Sequence, residues 1–187
     1  MCVRGGGADG NERLTAATAA VLIVLLAALG VTILSIGPLI WWHVLLGMLL
    51  IPPVLLKLGS TGWRFIRYFA GADEYVGRGP PLLPLRLLAP LVVAATLAVF
   101  ATGVVLLAIG PGGGFVVGLH KASFFVWVSV TGVHVLAHVR RLLPSAPVPG
   151  GRLRLLLLAG TIVAGAVLAI ATVRYAQPWV HWFSANN

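Results

Sequence analysis

Five apolar runs, at roughly 14–36, 39–58, 85–109, 115–139 and 153–175, leave this chain few ways to fold. Each can cross the hydrocarbon core of a bilayer, which takes about 20 helical residues at about 1.5 Å of rise apiece. No water serves the backbone there, so a spanning segment must satisfy its own N–H and C=O groups, as a helix does. Of the 187 residues 59% are hydrophobic and 9% charged, and the mean hydropathy is +1.03. A soluble domain of this size needs far more charge to cover its surface. The chain therefore reads as an all-α integral membrane bundle of about five transmembrane helices. It forms one membrane domain over 1–187, with no separate soluble module.

The net charge of +9 invites a nucleic-acid reading, which its distribution rejects. Arg4 and Arg13 precede the first run; Lys57, Arg64, Arg67, Arg78 and Arg86 surround the second connection; Arg140, Arg141, Arg152 and Arg154 flank the fourth. Only Lys121 and Arg174 fall toward the other side. Such asymmetry orients helices in a membrane, and no base-stacking platform accompanies it, so no nucleic-acid partner is expected. It predicts a bacterial plasma-membrane protein with its N-terminus cytoplasmic and its C-terminus external. The lone Cys2 excludes a disulfide framework and a thiolate metal cluster. A secretory signal has an apolar core of about 7–15 residues, shorter than the run at 14–36, so an uncleaved first helix is expected.

Residues 1–13, rich in glycine, read as a flexible cytoplasmic tail. Gly37-Pro38 is expected to turn the first helix into the second, and Pro52-Pro53 to kink the second. The connection from Gly59 to Pro84 opens with Trp63, Arg64, Phe65, Arg67, Tyr68 and Phe69, aromatic and basic residues interleaved. That composition suits the headgroup layer, or a docking surface for a partner. Trp179, Trp182 and Phe183 suit an external interfacial belt, with His181 among them.

Ionisable groups inside a bilayer are costly, so each needs a reason. The second run carries His43 and Lys57, the fourth His120, His134 and His138, and none of the five carries Asp or Glu. Zinc hydrolysis and proton-coupled transport usually set carboxylates beside their histidines, and the four acids, Asp9, Glu12, Asp73 and Glu74, all lie outside. The second and fourth runs cross in the same direction. His43 stands five residues past Pro38 and His120 five past Phe115, hence at similar depth. Two neutral imidazoles facing one another across an apolar bundle are what a six-coordinate haem iron requires. Gly47, one turn below His43, and Gly132 would let a flat macrocycle approach the backbone, or else serve close helix packing. His134 lies 14 residues beyond His120, about 21 Å along a helix and nearly on the same face. Lys57 stands at the same spacing from His43, where a second ligand on that helix would be expected. It can bind iron only when deprotonated, and snorkelling to water is the competing fate. His43 and His120 could instead be interfacial, and His134 and His138 could simply bond between helices.

Two sets of residues resemble one family. His43-Val44-Leu45-Leu46-Gly47 with the run from Lys57 to Tyr68 is the first, and Leu119-His120-Lys121-Ala122-Ser123-Phe124 with His134-Val135-Leu136-Ala137-His138 is the second. Both resemble small actinobacterial membrane proteins of the bacterial cytochrome b superfamily, over residues 38–141. The resemblance implies a four-helix haem-binding core, the second to fifth helices here, with the first packed outside. It also implies electron transfer beside an oxidoreductase. His43 and His120 match the expected iron ligands and His134 a second position, while Lys57 departs from the histidine of a two-haem member. One haem b is expected, a second through His134 or His138 stays open, and Arg140 and Arg141 could meet its propionates. Beyond the lipid bilayer, a quinone and a redox partner protein are the expected partners. The other classes are a non-haem membrane subunit or a transporter whose histidines serve packing or a polar path.

Overall fold

The computed structural model describes residues 7–77, 79, 83–138 and 151–186. Among them there is helix and no strand. In order these are α1 (Gly7–Leu34), α2 (Ile36–Phe69), the one-turn α3 (Asp73–Val76), α4 (Leu83–Ile109), α5 (Gly114–His138), α6 (Gly151–Thr172) and α7 (Gln177–Ala185). Short 3₁₀ turns at Gly110–Gly112 and Val173–Ala176 lead into α5 and α7. Five stretches are long and apolar enough to cross a membrane: Gly7–Leu34, Ile36–Phe69, Leu83–Gly112, Gly114–His138 and Gly151–Ala185. The molecule is an all-α, multi-pass membrane bundle. Cys2, Arg4, Arg78, Pro80, Pro81, Val139, Arg140, Arg141, Pro144, Pro147 and Pro149, with the expectations attached to them, lie outside the described residues.

Several boundaries differ from the sequence expectation, each for a local reason. Residues 7–13 are helical rather than a loose tail, because polar contacts dock them. The Ala8 N–H, one of the donors a helix start leaves unpaired, donates to Glu74 Oε2 at 3.2 Å. Asn11 Nδ2 donates to the Ser60 carbonyl at 2.9 Å. The first reversal falls at Ser35, and Gly37-Pro38 already belongs to the first turn of α2, where a missing N–H costs nothing. At the far end α2 does not stop at Gly59. It runs on through the aromatic and basic stretch, with Arg67 over the Trp63 ring and Phe65 against Phe69 one turn apart. Gly71, at φ +74°, ends it: the Gly71 N–H donates to the Tyr68 carbonyl and the Ala72 N–H to that of Arg67, a Schellman closure. Trp63, Phe65, Ile66 and Phe69 remain exposed.

Helix α2 is the centre of one layer, with α1 packed antiparallel along one side and α6 along another. Helix α1 lies along α2 as closely as α6 does. Leu50 and Pro53 are fully buried in this layer. Pro53 has no N–H to offer the Leu49 carbonyl, and Gly165 of α6 brings its backbone against that same carbonyl. Helices α4 and α5 form a second antiparallel pair, tied in part by Trp127 Nε1 donating to Thr96 Oγ1 at 3.1 Å. The layers join through α2 with α4 and through α7, which folds back over the α4–α5 turn and the start of α2. Trp179 is thus buried, its Nε1 donating to the Leu106 carbonyl at 3.1 Å. Trp182 and His181 stay exposed.

Candidate functional site

Near the end of the bundle that holds the Ser35 reversal and the 110–112 turn, two histidines are held in the same manner. His43 Nδ1 lies 2.8 Å from Thr32 Oγ1 of α1, and His120 Nδ1 lies 2.9 Å from Thr102 Oγ1 of α4. Each threonine hydroxyl also bonds a carbonyl of its own helix: Thr32 that of Leu29, and Thr102 those of Ala98 at 2.7 Å and Val99 at 3.1 Å. A carbonyl oxygen only accepts, so a hydroxyl proton given to it is not available to the ring. With the proton so placed, the hydroxyl oxygen accepts from an Nδ1-protonated imidazole; the opposite tautomer would reverse the roles. In that tautomer Nε2 keeps its lone pair. This is the tautomer a metal-binding imidazole adopts when its other nitrogen is held by the protein.

Both threonines are buried, and their pairing with the histidines follows from hairpin register. Thr32 lies five residues before Gly37 and His43 five after Pro38; Thr102 lies nine before Pro111 and His120 nine after. In an antiparallel pair of helices, positions equally far from the turn meet at equal depth. Thr15 and Ser60, joined at 3.0 Å, obey the same register farther along α1 and α2. Gly103 completes the seat of His120, because a Cβ there would lie 3.2 Å from the ring's Cε1. Thr32, Thr102 and Gly103 escape a reading of ionisable residues, and mirror positions about each turn are the signal that finds them.

The two imidazoles belong to different layers. Helix α5 packs along α4 and makes no extended backbone contact with α2, yet His43 and His120 lie within electrostatic reach of each other. A Cβ on Gly47 would meet nothing within 4 Å, and the same holds at Gly132. Each leaves open space beside its helix among the described residues. Among the described residues no three His, Cys, Asp or Glu side chains gather to hold a bare ion. Two neutral imidazoles suit a metal whose remaining positions a macrocycle fills, and this donor set fits haem.

The second histidine level is built differently. His138 Nδ1 donates to the His134 carbonyl at 2.8 Å, and the two rings stack with centroids 4.4 Å apart. The atoms His134 Nδ1 and Thr131 Oγ1, one turn apart on α5, are buried and have no hydrogen-bond partner among the described residues. Lys57 lies within electrostatic reach of His134, but its Nζ donates to the Thr15 carbonyl of α1 at 2.9 Å. The ammonium thus ties α2 to α1, where the sequence suggested snorkelling to water or a ligand. His181 stands apart, exposed on α7. No protein-family model, curated protein or solved structure matches the chain, so the chemistry of the site rests on its own residues.

Proposed function

We propose that the chain is a membrane-embedded b-type cytochrome in which His43 and His120 hold one haem b from its two faces, as its resemblance to the bacterial cytochrome b superfamily implies. The observation that carries this reading is the matched pair of threonine-anchored imidazoles, on helices that do not pack against each other. Haem, when bound, supplies one-electron chemistry at its iron. The chain's part is to present two Nε2 lone pairs at one depth, to leave room at Gly47, and to surround the pocket with apolar helices that exclude water. The acids support electron transfer over proton-coupled transport: Asp9 and Glu12 sit in the first turns of α1, and Asp73 and Glu74 in α3, away from the middle of any span.

Electrons would enter and leave through a quinone or a redox partner protein, with the chain serving as subunit or partner of an oxidoreductase in a bacterial plasma membrane. A second haem would have to be held by His134 or His138 without a ligand from α2, since Lys57 is engaged with α1. One haem per chain is therefore the proposed stoichiometry. A second reading draws on the same hydrogen bonds: the threonine–histidine contacts join neighbouring helices and could serve packing alone in a non-haem subunit. A reduced-minus-oxidised visible spectrum of the purified chain, with pyridine haemochrome analysis against protein concentration, separates the two. A low-spin b-type spectrum at one haem per chain is the expected result. Its absence after expression with adequate haem supply would favour the packing reading, and a ratio of two would show that the second level also loads.

A further inference from the structure

We propose that Thr32 and Thr102 are positioning residues, which fix the Nδ1-protonated tautomer of His43 and His120 and, as neutral acceptors, moderately raise how strongly each imidazole donates to a bound metal. This rests on the haem reading for its redox consequence, while the tautomer is argued from the threonine contacts, independently of haem. In each case a chain of two bonds runs from the ring N–H to a hydroxyl oxygen and from that hydroxyl to a backbone carbonyl. The terminal acceptor is neutral. A carboxylate in that place would draw the Nδ1 proton outward and give the ring imidazolate character, strengthening its hold on the oxidised metal. A hydroxyl that has already given its own proton to a carbonyl is a better acceptor than a free one, yet it carries no charge. The ring stays a neutral imidazole of intermediate basicity, and both faces of the site receive the same treatment.

The arrangement also brings a helix into the site that contributes no ligand of its own. Thr32 belongs to α1, so the orientation of His43 depends on α1 keeping its register against α2. That register is held farther along by the Thr15–Ser60 bond and by Lys57 on the Thr15 carbonyl. Loss of the Thr32 hydroxyl should free the His43 ring to exchange tautomers and rotate, while His120 keeps its own partner on α4. The second-shell partners of metal-binding histidines commonly change metal affinity by about tenfold to a hundredfold.

The test compares Thr32→Val, Thr102→Val, Thr32→Ser and Thr102→Ser in the full chain. Side-chain ¹⁵N resonances of histidine, recorded on the chain purified without added haem, should show Nδ1-protonated rings at His43 and His120. Each valine variant should convert its own histidine to a tautomer mixture and leave the other unchanged. With haem added, each valine variant should raise the reduction potential and weaken haem affinity by about tenfold to a hundredfold. Each serine variant should restore the wild-type tautomer and potential, which a role in packing the threonine methyl would not do. If valine variants bind haem with unchanged potential and unchanged tautomer, the positioning role is overturned while the haem reading stands. If the wild-type chain takes no haem, the haem reading fails, and the ¹⁵N spectra still decide whether the threonines set the tautomer.

Discussion

His43 and His120 bear the same burden but meet different neighbours. The His120 ring is wedged against Gly103, and the Ser123 hydroxyl donates to the His120 carbonyl at 2.9 Å, whereas His43 has Thr32 and the open side of Gly47. On the proposed haem reading, removing either imidazole would leave the macrocycle gripped from one face. His43→Ala and His120→Ala should therefore each abolish the low-spin six-coordinate spectrum, read by visible absorption of the purified protein. His134→Ala should leave that signal intact, because about 21 Å of helix separates it from His120. His181→Ala should do the same, since its ring is exposed on α7. A His43→Ala protein with an unchanged bis-histidine spectrum would defeat the ligand assignment. Histidine positions are visible in the sequence because a titratable group in an apolar run stands out. Their hydroxyl partners are not, because a threonine in such a run ordinarily bonds its own helix and needs no further explanation.

At the scale of an element, α2 does the most. Its first turn absorbs Pro38, its middle absorbs Pro52 and Pro53, and its last turns carry the aromatic and basic stretch that the sequence suggests is a loop. Proline pairs are tolerated in membrane helices when neighbours serve the freed carbonyls. Here the Gly165 backbone of α6 approaches the Leu49 carbonyl that Pro53 leaves without its helix donor. A Cβ at Gly165 would collide with that carbonyl, which is backbone and cannot step aside. Gly165→Leu should therefore separate α6 from α2 and cost about 1–3 kcal/mol, the usual penalty of overpacking. Thermal unfolding in detergent would register this as a lowered midpoint. Gly160→Leu, where an added Cβ meets nothing within 4 Å, should leave the midpoint close to wild type. Equal losses at both positions would mean that the crossing at Leu49 is not special.

For the whole molecule, the two ends of the bundle differ in charge. Arg13, Lys57, Arg64, Arg67, Arg86, Arg152 and Arg154 gather toward the end formed by the start of α1, the close of α2 and the starts of α4 and α6. The opposite end, with the Ser35 reversal, the 110–112 turn and α7, has Lys121 and Arg174. By the positive-inside rule the first end is expected to face the cytoplasm. Reporter fusions at Gly79, Gly113 and Asn186 should read inside, outside and outside. An external reading at Gly79 would invert the topology and move the His43–His120 level to the cytoplasmic leaflet. The charge bias and the five runs are one-dimensional quantities, which is why this much of the architecture is legible before any contact is known.

The sequence by itself determined how many helices cross the bilayer, their class, and the depth of each histidine. Run length is set by bilayer thickness, and depth is simply distance along a run. Tertiary structure alone decided which helix faces which: that α1 and α6 both lie along α2, that Lys57 turns to Thr15, and that Thr32 and Thr102 meet the imidazoles. The physical reason is that a membrane helix is apolar all round, so it carries no polar stripe from which its rotation can be read. Rotation is settled by side-chain fit, at places such as Gly165 on Leu49 and Gly103 on His120, and by the polar groups that must find one another where water is absent.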